Sequence, residues 1–455
     1  MGPGSLHNPC YTPPACARRG LSSRAGRLGT LWQLSSLVNG AIGLARSRLF
    51  SNDAFLKFWA GQAISVLGSL VSRLALPFLV IYTLGATPMD VTWLRIAEIL
   101  PGILVGLVAG VWVDRLPRRT VMIAVDTTRA LLVGFIPLLI VLDRITIPAV
   151  VVLAALGSFV AAPFDSAYEA LLPAIVEPGQ VVEANAKMSA AFAVAETAAF
   201  GLAGFLFELL GGAITLSLDA MSFAISAATL WAIRSPTARA APAAAEVSEP
   251  VEPFGRALAR GARFLLQSPS LSRLATAALA QSLYFGISGA IYVLYVSRVL
   301  GVPPAVQGVL YAVGGLAALA AAHLAEPLAK RLGIGGAMVV SAAAAVVGTA
   351  LLPLAGGALW MVVLFILGQQ LFGDGGDTVF DIGLAAVRQG STPNDILGRV
   401  GSIWLVLTST GLLVGTLAGG VLVGMVGYRA TLAGAVGVRV LVLALSWRVR
   451  GTTAA

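Results

Sequence analysis

Charged side chains are scarce in this chain. Asp, Glu, Lys and Arg make up 11% of its 455 residues, while hydrophobic residues make up 58%. Soluble domains carry about 25% charged residues, so this composition excludes an ordinary soluble fold and predicts an integral membrane protein. The formal net charge of +9 is interpreted as loop charge that sets the orientation in the membrane. No nucleic-acid partner is therefore expected.

Cysteine and histidine are nearly absent. The chain has two of each, Cys10 and Cys16 together with His7 and His323. So few residues exclude a disulfide framework and a metal site built on thiolates or imidazoles. The sequence also shows no Ser/His/Asp set and no phosphate-cradling loop. Neither an enzyme nor a bound cofactor or metal is expected.

Long apolar runs dominate the rest of the sequence. A bilayer-spanning helix needs about 20 apolar residues, and twelve runs meet this requirement. We number them spans 1 to 12, near residues 58–83, 92–112, 120–142, 148–171, 185–209, 212–233, 273–297, 305–325, 335–354, 358–381, 400–422 and 428–447. The expected fold class is an all-α integral membrane protein with twelve transmembrane helices.

Basic residues concentrate in alternate turns. We number each turn by the span that precedes it. Of the 30 Lys and Arg residues, the odd-numbered turns contain only Arg144, Arg298 and Arg429. The positive-inside rule then places the even-numbered turns and both termini in the cytoplasm. We call the end of the spans that carries these basic turns the basic end, and the other the opposite end. The expected location is a bacterial cytoplasmic membrane.

Three segments do not resemble the spans. Residues 1–53 are rich in Gly, Pro, Ser and Arg and are expected to be a disordered tail, with a mis-assigned start codon as an alternative reading. Residues 234–272 form the longest break, in which Phe254–Gln267 has the pattern of a basic amphipathic helix. Six-helix bundles are therefore expected over 54–233 and 273–448, followed by a cytoplasmic tail over 449–455.

The turn between spans 2 and 3 has a distinctive pattern, Gly110-x-x-x-Asp114-Arg115-x-x-Arg118-Arg119. Each arginine would cost about 2.5–3.5 kcal/mol at the centre of a membrane helix, so the turn is expected to lie in water. The pattern resembles the signature loop between helices 2 and 3 of the major facilitator superfamily. Pro117 stands where that loop usually has glycine, and proline also makes a turn.

The two halves of the chain resemble each other. The signature pattern returns as Glu326-x-x-x-Lys330-Arg331, and further pairs keep an offset of 212–216 residues. These pairs are Phe164-Asp165 with Phe380-Asp381, Pro178 with Pro393, Gly204 with Gly419, and Gly212 with Gly427. Such a repeat is expected of two six-helix halves related by an axis along the membrane normal.

Further stretches narrow the resemblance to bacterial exporters related to the enterobactin exporter and to macrolide efflux proteins. It extends over about residues 55 to 450 and is carried by Phe58-Trp59-Ala60-Gly61-Gln62, Leu94-Arg95-Ile96-Ala97-Glu98, Asp126-Thr127-Thr128-Arg129-Ala130, Leu218-Asp219-Ala220-Met221-Ser222-Phe223 and Thr392-Pro393-Asn394-Asp395-Ile396-Leu397-Gly398-Arg399-Val400. The resemblance implies a substrate site near the midplane between the halves. It also implies that the signature loop latches one state: Asp114 would meet positive charge or a helix N-terminus of the other half, and Arg115, Arg118 and Arg119 would hold acids or lipid phosphates. Gly110 would allow a helix to approach, and Glu326, Lys330 and Arg331 would be the equivalent gate of the second half.

Charged residues at membrane depth are expensive and mark candidate functional groups. In the first half, Asp126 and Arg129 share a face of span 3, and Asp165 and Glu169 share a face of span 4. The first pair is either a gating network or a structural ion pair. The second is either a proton-uptake site or a carboxylate that pairs with loop arginines. Further candidates for the cavity or for proton coupling are Arg73, which must find an acid or an anionic ligand, together with Glu196 and Asp219.

Span 10 carries the strongest polar cluster of the second half. Asp374, Asp377 and Asp381 fall at i, i+3 and i+7, on one helical stripe. They are expected to line an aqueous cavity or to pair with arginines of the other half. Span 11 contains Gly411-x-x-x-Gly415-x-x-x-Gly419, which predicts close helix packing.

The function expected from these residues and this resemblance is proton-coupled export of small amphipathic molecules, such as drugs or siderophore-like metabolites. The proton gradient would be the energy source, and membrane lipids, protons and the substrate the partners of a monomer. An importer, a lipid flippase and a non-transporting scaffold or receptor are the alternatives. Span 5 lacks the Gly-Pro motif that drug/proton antiporters commonly carry, having Ala199–Gly204 in its place.

Overall fold

The computed structural model describes residues 48–113, 116–233, 254–393 and 396–449, with 48, 106–113, 254–258 and 449 described by their backbone alone. The predicted tail therefore lies largely outside the described residues, as do Asp114, Arg115 and the first part of the linker. A short helical turn, Arg48–Ser51, belongs to a separate unit from the body that begins at Asn52. The described part of the chain contains helices and turns and no strand.

The helices of the body follow the predicted spans closely. Their bounds are Asp53–Phe78, Pro88–Val113, Arg118–Val141, Ile147–Ile175, Val181–Ala232, Phe254–Gln267, Pro269–Leu294, Pro304–Leu354, Leu359–Gln369, Gly375–Gly390, Leu397–Val426 and Tyr428–Val449. Short π-helical turns extend or join them at Leu79–Thr83, Tyr295–Val299 and Gln370–Asp374. Nine helices of the described residues are long and apolar enough to cross a membrane.

Two of these helices contain two spans each. Val181–Ala232 bends at Gly211 (φ 75°) and Pro304–Leu354 bends at Gly333 (φ 73°). Glycine suits both bends because a side chain at such a φ would be strained. With these four arms and the helix Pro88–Val113, each predicted apolar run corresponds to one helix, to one helix arm or, for span 10, to two helices joined by a π-helical turn.

The backbone repeats between the halves. The π-helical turn that ends span 1, Leu79–Thr83, has its counterpart in Tyr295–Val299, which ends span 7, at an offset of 216 residues. Gly85 (φ 69°) and Gly301 (φ 66°) follow these turns at the same offset. The offset seen in the sequence motifs is therefore also an offset in local geometry.

Spans 7 and 11 pack backbone against backbone. A Cβ added at Gly415 would lie 2.1 Å from the Leu283 carbonyl oxygen, and one at Gly411 or Gly419 would lie 2.8 Å from a carbonyl of span 7. Such distances leave room only for hydrogen. The close packing predicted from the glycine stripe of span 11 is therefore confirmed.

The predicted amphipathic helix of the linker is present as Phe254–Gln267. It lies against the start of span 11, where a Cβ at Gly261 would come within 2.8 Å of the Arg399 carbonyl oxygen. Leu265 is buried in a cluster with Leu271 and Val400. This helix is thus part of the packed body at the basic end.

Candidate functional site

A central cavity of about 1130 Å³ lies among spans from before and after the linker. Its walls are mainly apolar and aromatic. The aromatic lining consists of Phe200, Phe223, Tyr284, Phe285, Tyr292 and Tyr311. The charged lining consists of Arg73, Arg95, Glu98, Arg129, Asp165, Asp219, Asp374 and Asp377. A cavity of this size accommodates a drug-sized ligand.

The cavity is sealed at the opposite end by hydrogen bonds between spans 1, 7 and 8. The Tyr82 hydroxyl donates to the Val302 carbonyl at 3.2 Å, and the Gln307 amide donates to the Tyr82 hydroxyl at 3.2 Å. Arg298 donates to the carbonyl of Ile81, at 3.2 Å, within the π-helical turn of span 1. The repeated π-helical turns therefore meet each other at this seal.

Spans 5 and 8 also contribute to the seal, because their backbones are in direct contact. A Cβ at Gly204 would lie 2.0 Å from the Pro304 carbonyl oxygen and 3.0 Å from the Gly308 nitrogen. Next to this contact, the Glu208 carboxylate accepts from the Ala305 backbone N–H at 2.8 Å. An acid at a helix N-terminus is favourable because the first N–H groups there have no partner within the helix.

Asp126 and Arg129 share a helix but have separate environments. Asp126 is fully buried and accepts a hydrogen bond from the Ser226 hydroxyl at 2.6 Å. The same hydroxyl accepts a hydrogen bond from the Gln62 amide at 3.0 Å. The Arg129 guanidinium lies over the Phe223 ring, 4.0 Å from its centroid, and faces the cavity. No ion pair joins Asp126 and Arg129, so the structural ion pair considered from the sequence is not formed.

The other acids of the first half divide by access to the cavity. Asp165 is exposed, lines the cavity and has no hydrogen bond or ion pair with any described residue. Asp219 lines the cavity but is buried and accepts from Ser222 at 3.2 Å. Glu169 and Glu196 are exposed and lie outside the cavity lining. The two acids predicted to act together on span 4 are therefore not brought together at the cavity.

The acids of span 10 also differ from one another. Asp377 forms a buried ion pair with Arg439 of span 12, whose guanidinium lies 3.6 Å from the centroid of the Tyr284 ring. Asp381 accepts from Gln281 at 2.9 Å. The arginine partner of Asp377 thus belongs to the same half of the chain and not to the other. Span 12 packs within that half, against span 7 and against the helix Pro304–Leu354. Asp374 makes no hydrogen bond or ion pair through its side chain within the described residues.

Arginines in spans 1 and 2 face the cavity. Arg95 forms an ion pair with Glu98 at 2.9 Å, three residues further along the same helix. Arg73 is exposed to the cavity and makes no ion pair or hydrogen bond with any described residue. The sequence predicts either an acid or an anionic ligand as the partner of Arg73. None of the described acids forms an ion pair with it.

The signature loop binds backbone where acids or lipid phosphates were expected. Arg119 donates to the carbonyls of Leu230 at 2.7 Å and Trp231 at 2.5 Å, and Arg118 donates to Ala170 at 3.3 Å. The last carbonyls of a helix have no partner within it, so basic groups stabilise these helix ends. Asp114 and Arg115 lie outside the described residues, and Gly110 is described by its backbone alone.

The second signature stretch contains a local ion pair. Lys330 donates to Glu326 at 2.5 Å, one helical turn apart, and both side chains are exposed, as is Arg331. Within the described residues these three side chains form no bond to the first half of the chain. Their predicted role in gating remains a prediction.

Sequence reasoning missed the residues that seal the opposite end. Tyr82, Gln307 and Glu208 follow no motif, and their partners are mostly backbone atoms. Arg298 offered a signal, since basic residues are rare in turns at that end. The tyrosines of the cavity, Tyr292 and Tyr311, were also missed because apolar faces rich in aromatics are expected in any membrane helix.

Comparisons with known proteins find similarity to membrane transporters. A family model described as transmembrane secretion effector matches residues 47–454. The MFS-type transporter y4rN of Sinorhizobium fredii is 27% identical over 79% of this chain and 86% of its own length. The multidrug efflux pump Tap of Mycolicibacterium fortuitum is 30% identical over 50% of this chain and 56% of its own length. Among solved structures, a bacterial homologue of the iron transporter ferroportin in its inward-facing state has a TM-score of 0.70 at 18% identity, covering 87% of this chain and 98% of that one.

Proposed function

The chain belongs to the major facilitator superfamily of membrane transporters, in the family of transmembrane secretion effectors, and on this premise we propose that it exports small amphipathic molecules in exchange for protons. The central cavity carries the proposal. It combines a volume of about 1130 Å³ with aromatic walls and charged groups that have no partner among the described residues. A scaffold or receptor has no need for such groups inside a membrane, where charge is costly.

Alternating access follows from where the cavity is sealed. With the basic end in the cytoplasm of a bacterial cell, the seal made by Tyr82, Gln307 and Gly204 is the extracellular one. Export requires this seal to open and the basic end to close, by rocking of the two halves about the site. The seal suits this role because it consists of few hydrogen bonds and small residues, which separate without disrupting either bundle.

Proton coupling is assigned to Asp165. This carboxylate is exposed in the cavity and has no partner in the part of the chain that the structure describes, so protons can reach it and no described ion pair neutralises its charge. Among the other candidate acids, Asp126 and Asp219 accept from serines, Asp377 pairs with Arg439, Asp381 accepts from Gln281, and Glu169 and Glu196 lie outside the cavity lining. Asp374 also lines the cavity without a partner among the described residues, but it is half-buried, whereas Asp165 is exposed. The proton gradient is the energy source, and a monomer in the lipid bilayer is the working unit.

The test uses purified protein in liposomes with an imposed proton gradient. Internal pH is followed with an entrapped dye while lipophilic drugs and siderophores are added one at a time. Substrate-dependent proton flux in the wild type is the expected result. Asp165→Asn is expected to abolish that flux while leaving substrate binding detectable.

The matched control is Asp143→Asn, in an exposed turn between spans 3 and 4 and outside the cavity lining. Asparagine tolerates the positive φ of this residue, 55°. This variant should transport like the wild type. Flux that persists in Asp165→Asn would refute the assignment of the proton to Asp165. Absence of flux with every compound, from folded and correctly oriented protein, would favour uniport, lipid transport or a scaffold role.

A further inference from the structure

Arg73 is a cation without a counterion inside the described part of the protein. It lies near the middle of span 1, its side chain is exposed to the cavity, and no acceptor or carboxylate binds it. Glu98 and Glu196 are the acids whose charges act on it. Neither neutralises it by contact, because Glu98 is held by Arg95 and Glu196 forms no ion pair with a described residue.

Asp374 is the complementary case on the other side of the linker. It lies in the π-helical turn of span 10 and lines the same cavity. A Cβ added at Gly314 would lie 2.5 Å from its Oδ2, so the carboxylate rests against a residue that cannot bond it through a side chain. No described basic group forms an ion pair with it, since Arg439 is bound to Asp377.

Among the described residues, the cavity therefore offers an unpaired cation from the first half, Arg73, and an unpaired anion from the second, Asp374, besides the Asp165 carboxylate to which the proton is assigned. A charge among mainly apolar walls is stabilised when a ligand of opposite charge neutralises it. The two groups do not neutralise each other, because no ion pair joins them. A ligand that carries both charges satisfies both residues in one binding event.

Aromatic side chains of spans 7 and 8 suit the body of such a ligand. The rings of Tyr292 and Tyr311 are tilted against each other with centroids 5.6 Å apart, and the ring of Tyr311 is tilted against that of Phe200 of span 5 at 6.0 Å. All three line the cavity. Aromatic faces bind planar apolar groups and delocalised cations, whereas a small ion would leave these surfaces uncovered.

We propose that the cavity selects zwitterionic amphiphiles: Arg73 binds an anionic group of the substrate, Asp374 binds its cationic group, and the aromatic residues bind the apolar body. This inference rests on the proposed export function in that the occupant of the cavity is the transported substrate. Arg73 donates up to two parallel hydrogen bonds to a carboxylate, which fixes the orientation of the ligand.

Two dyes that differ in one group test the proposal. Tetramethylrhodamine has a free carboxylate and a cationic xanthene ring, and its methyl ester keeps the ring but loses the negative charge. Equilibrium binding to the purified full-length protein in detergent is measured by fluorescence anisotropy. The wild type is expected to bind the free acid at least about tenfold more tightly than the ester, as a hydrogen bond to a charged group contributes.

The variants separate the two charges. Arg73→Gln should weaken binding of the free acid about tenfold and leave the ester unchanged, and Arg73→Lys should restore part of the loss because the charge is kept. Asp374→Asn should weaken both dyes to the same extent. Arg144→Gln removes one arginine from an exposed turn outside the cavity and should change neither affinity. Size-exclusion profiles and melting temperatures establish that each variant is folded.

Three outcomes would overturn the inference: no binding of the free acid by the wild type, equal affinity of the wild type for the two dyes, or equal affinity of Arg73→Gln and the wild type for the free acid. Because binding needs neither a membrane nor a gradient, it is independent of the flux assay. Charge-selective binding without proton flux would support the inference and refute antiport. Proton flux with no charge-selective binding would support antiport and refute the inference.

Discussion

Gly204 of span 5 and Gly308 of span 8 bring two backbones into contact at the sealed end of the cavity. A Cβ at Gly308 would lie 2.8 Å from the Phe200 carbonyl oxygen, and a Cβ at Gly204 would lie 2.0 Å from the Pro304 carbonyl oxygen. Backbone atoms cannot rotate away from such a clash as a flexible side chain can. A larger residue at either position therefore pushes the two helices apart.

The first prediction is that Gly204→Val prevents the opposite end from closing. Transport should fall at least about tenfold although the protein still inserts. The clash destabilises only the state in which the opposite end is closed and not the packing within each six-helix bundle. Spin labels at Arg144 and Leu359, both exposed at that end, should show a longer distance than in the wild type. Gly201→Ala is the control, since its Cβ would meet only Ala312 at an ordinary 3.7 Å. An unchanged label distance in Gly204→Val would contradict the prediction.

The second prediction concerns the buried ion pair of Asp377 and Arg439. Removal of one partner leaves an uncompensated buried charge, which typically costs about 3–5 kcal/mol. Asp377→Leu alone should therefore lower the melting temperature strongly. The double variant Asp377→Leu with Arg439→Met should recover much of the loss, because neither charge then remains. A double variant no more stable than the single one would show that the pair is not the source of the effect.

The third prediction tests the glycine stripe of span 11. Gly415→Val places atoms within 2.1 Å of the Leu283 carbonyl oxygen, so spans 7 and 11 must separate. We expect a lower melting temperature and little folded protein in the membrane. Gly424→Val provides the comparison on the same helix, since a Cβ there meets nothing within 4 Å. Equal stability of the two variants would mean that the close approach is not required.

The fourth prediction distinguishes Asp126 from the cavity acids. Asp126 is fully buried, its Oδ1 atom has no hydrogen-bond partner, and its Oδ2 accepts from Ser226. Burying an unpaired carboxylate is unfavourable, so Asp126→Asn should keep or raise the melting temperature and retain transport. Ser226→Ala should lower stability by removing the one bond to Asp126. Transport lost in a stable Asp126→Asn protein would instead favour the gating role considered from the sequence.

The fifth prediction concerns the signature loop, through Asp114, which lies outside the described residues. The resemblance to the superfamily implies that this acid latches one state of the cycle. Asp114→Asn should therefore impair transport while the amount of protein in the membrane is unchanged, as measured by flux in liposomes and by immunoblotting. Normal transport by this variant would exclude the latch role.

The helices of this protein were predictable from local sequence. A run of about 20 apolar residues has few alternatives to a membrane helix, because the bilayer leaves no water for an unpaired backbone. The glycines of span 11 could also be interpreted locally, as could the Arg95–Glu98 pair, whose spacing of three residues places both side chains on one face.

Side-chain partners across helices were not predictable in this way. Asp377 and Arg439 are 62 residues apart. From the sequence, either the cavity or an arginine of the other half is expected for Asp377, which lines the cavity but pairs with an arginine of its own half. Asp126 and Arg129 have the same spacing as Arg95 and Glu98 but form no ion pair, because Ser226 and Phe223 of span 6 bind them separately.

The sequence by itself thus determined the all-helical membrane fold, the repeat of its halves and the family, because these depend on hydrophobicity, spacing and local motifs along the chain. Only the tertiary structure decided which charges are neutralised and which stay free in the cavity. Among the described residues Asp377 has a counterion, and Arg73 and Asp374 have none, although all three are charged residues within apolar spans. The physical reason is that the field at a buried charge is set by atoms within a few ångströms, and packing brings those atoms from distant parts of the chain.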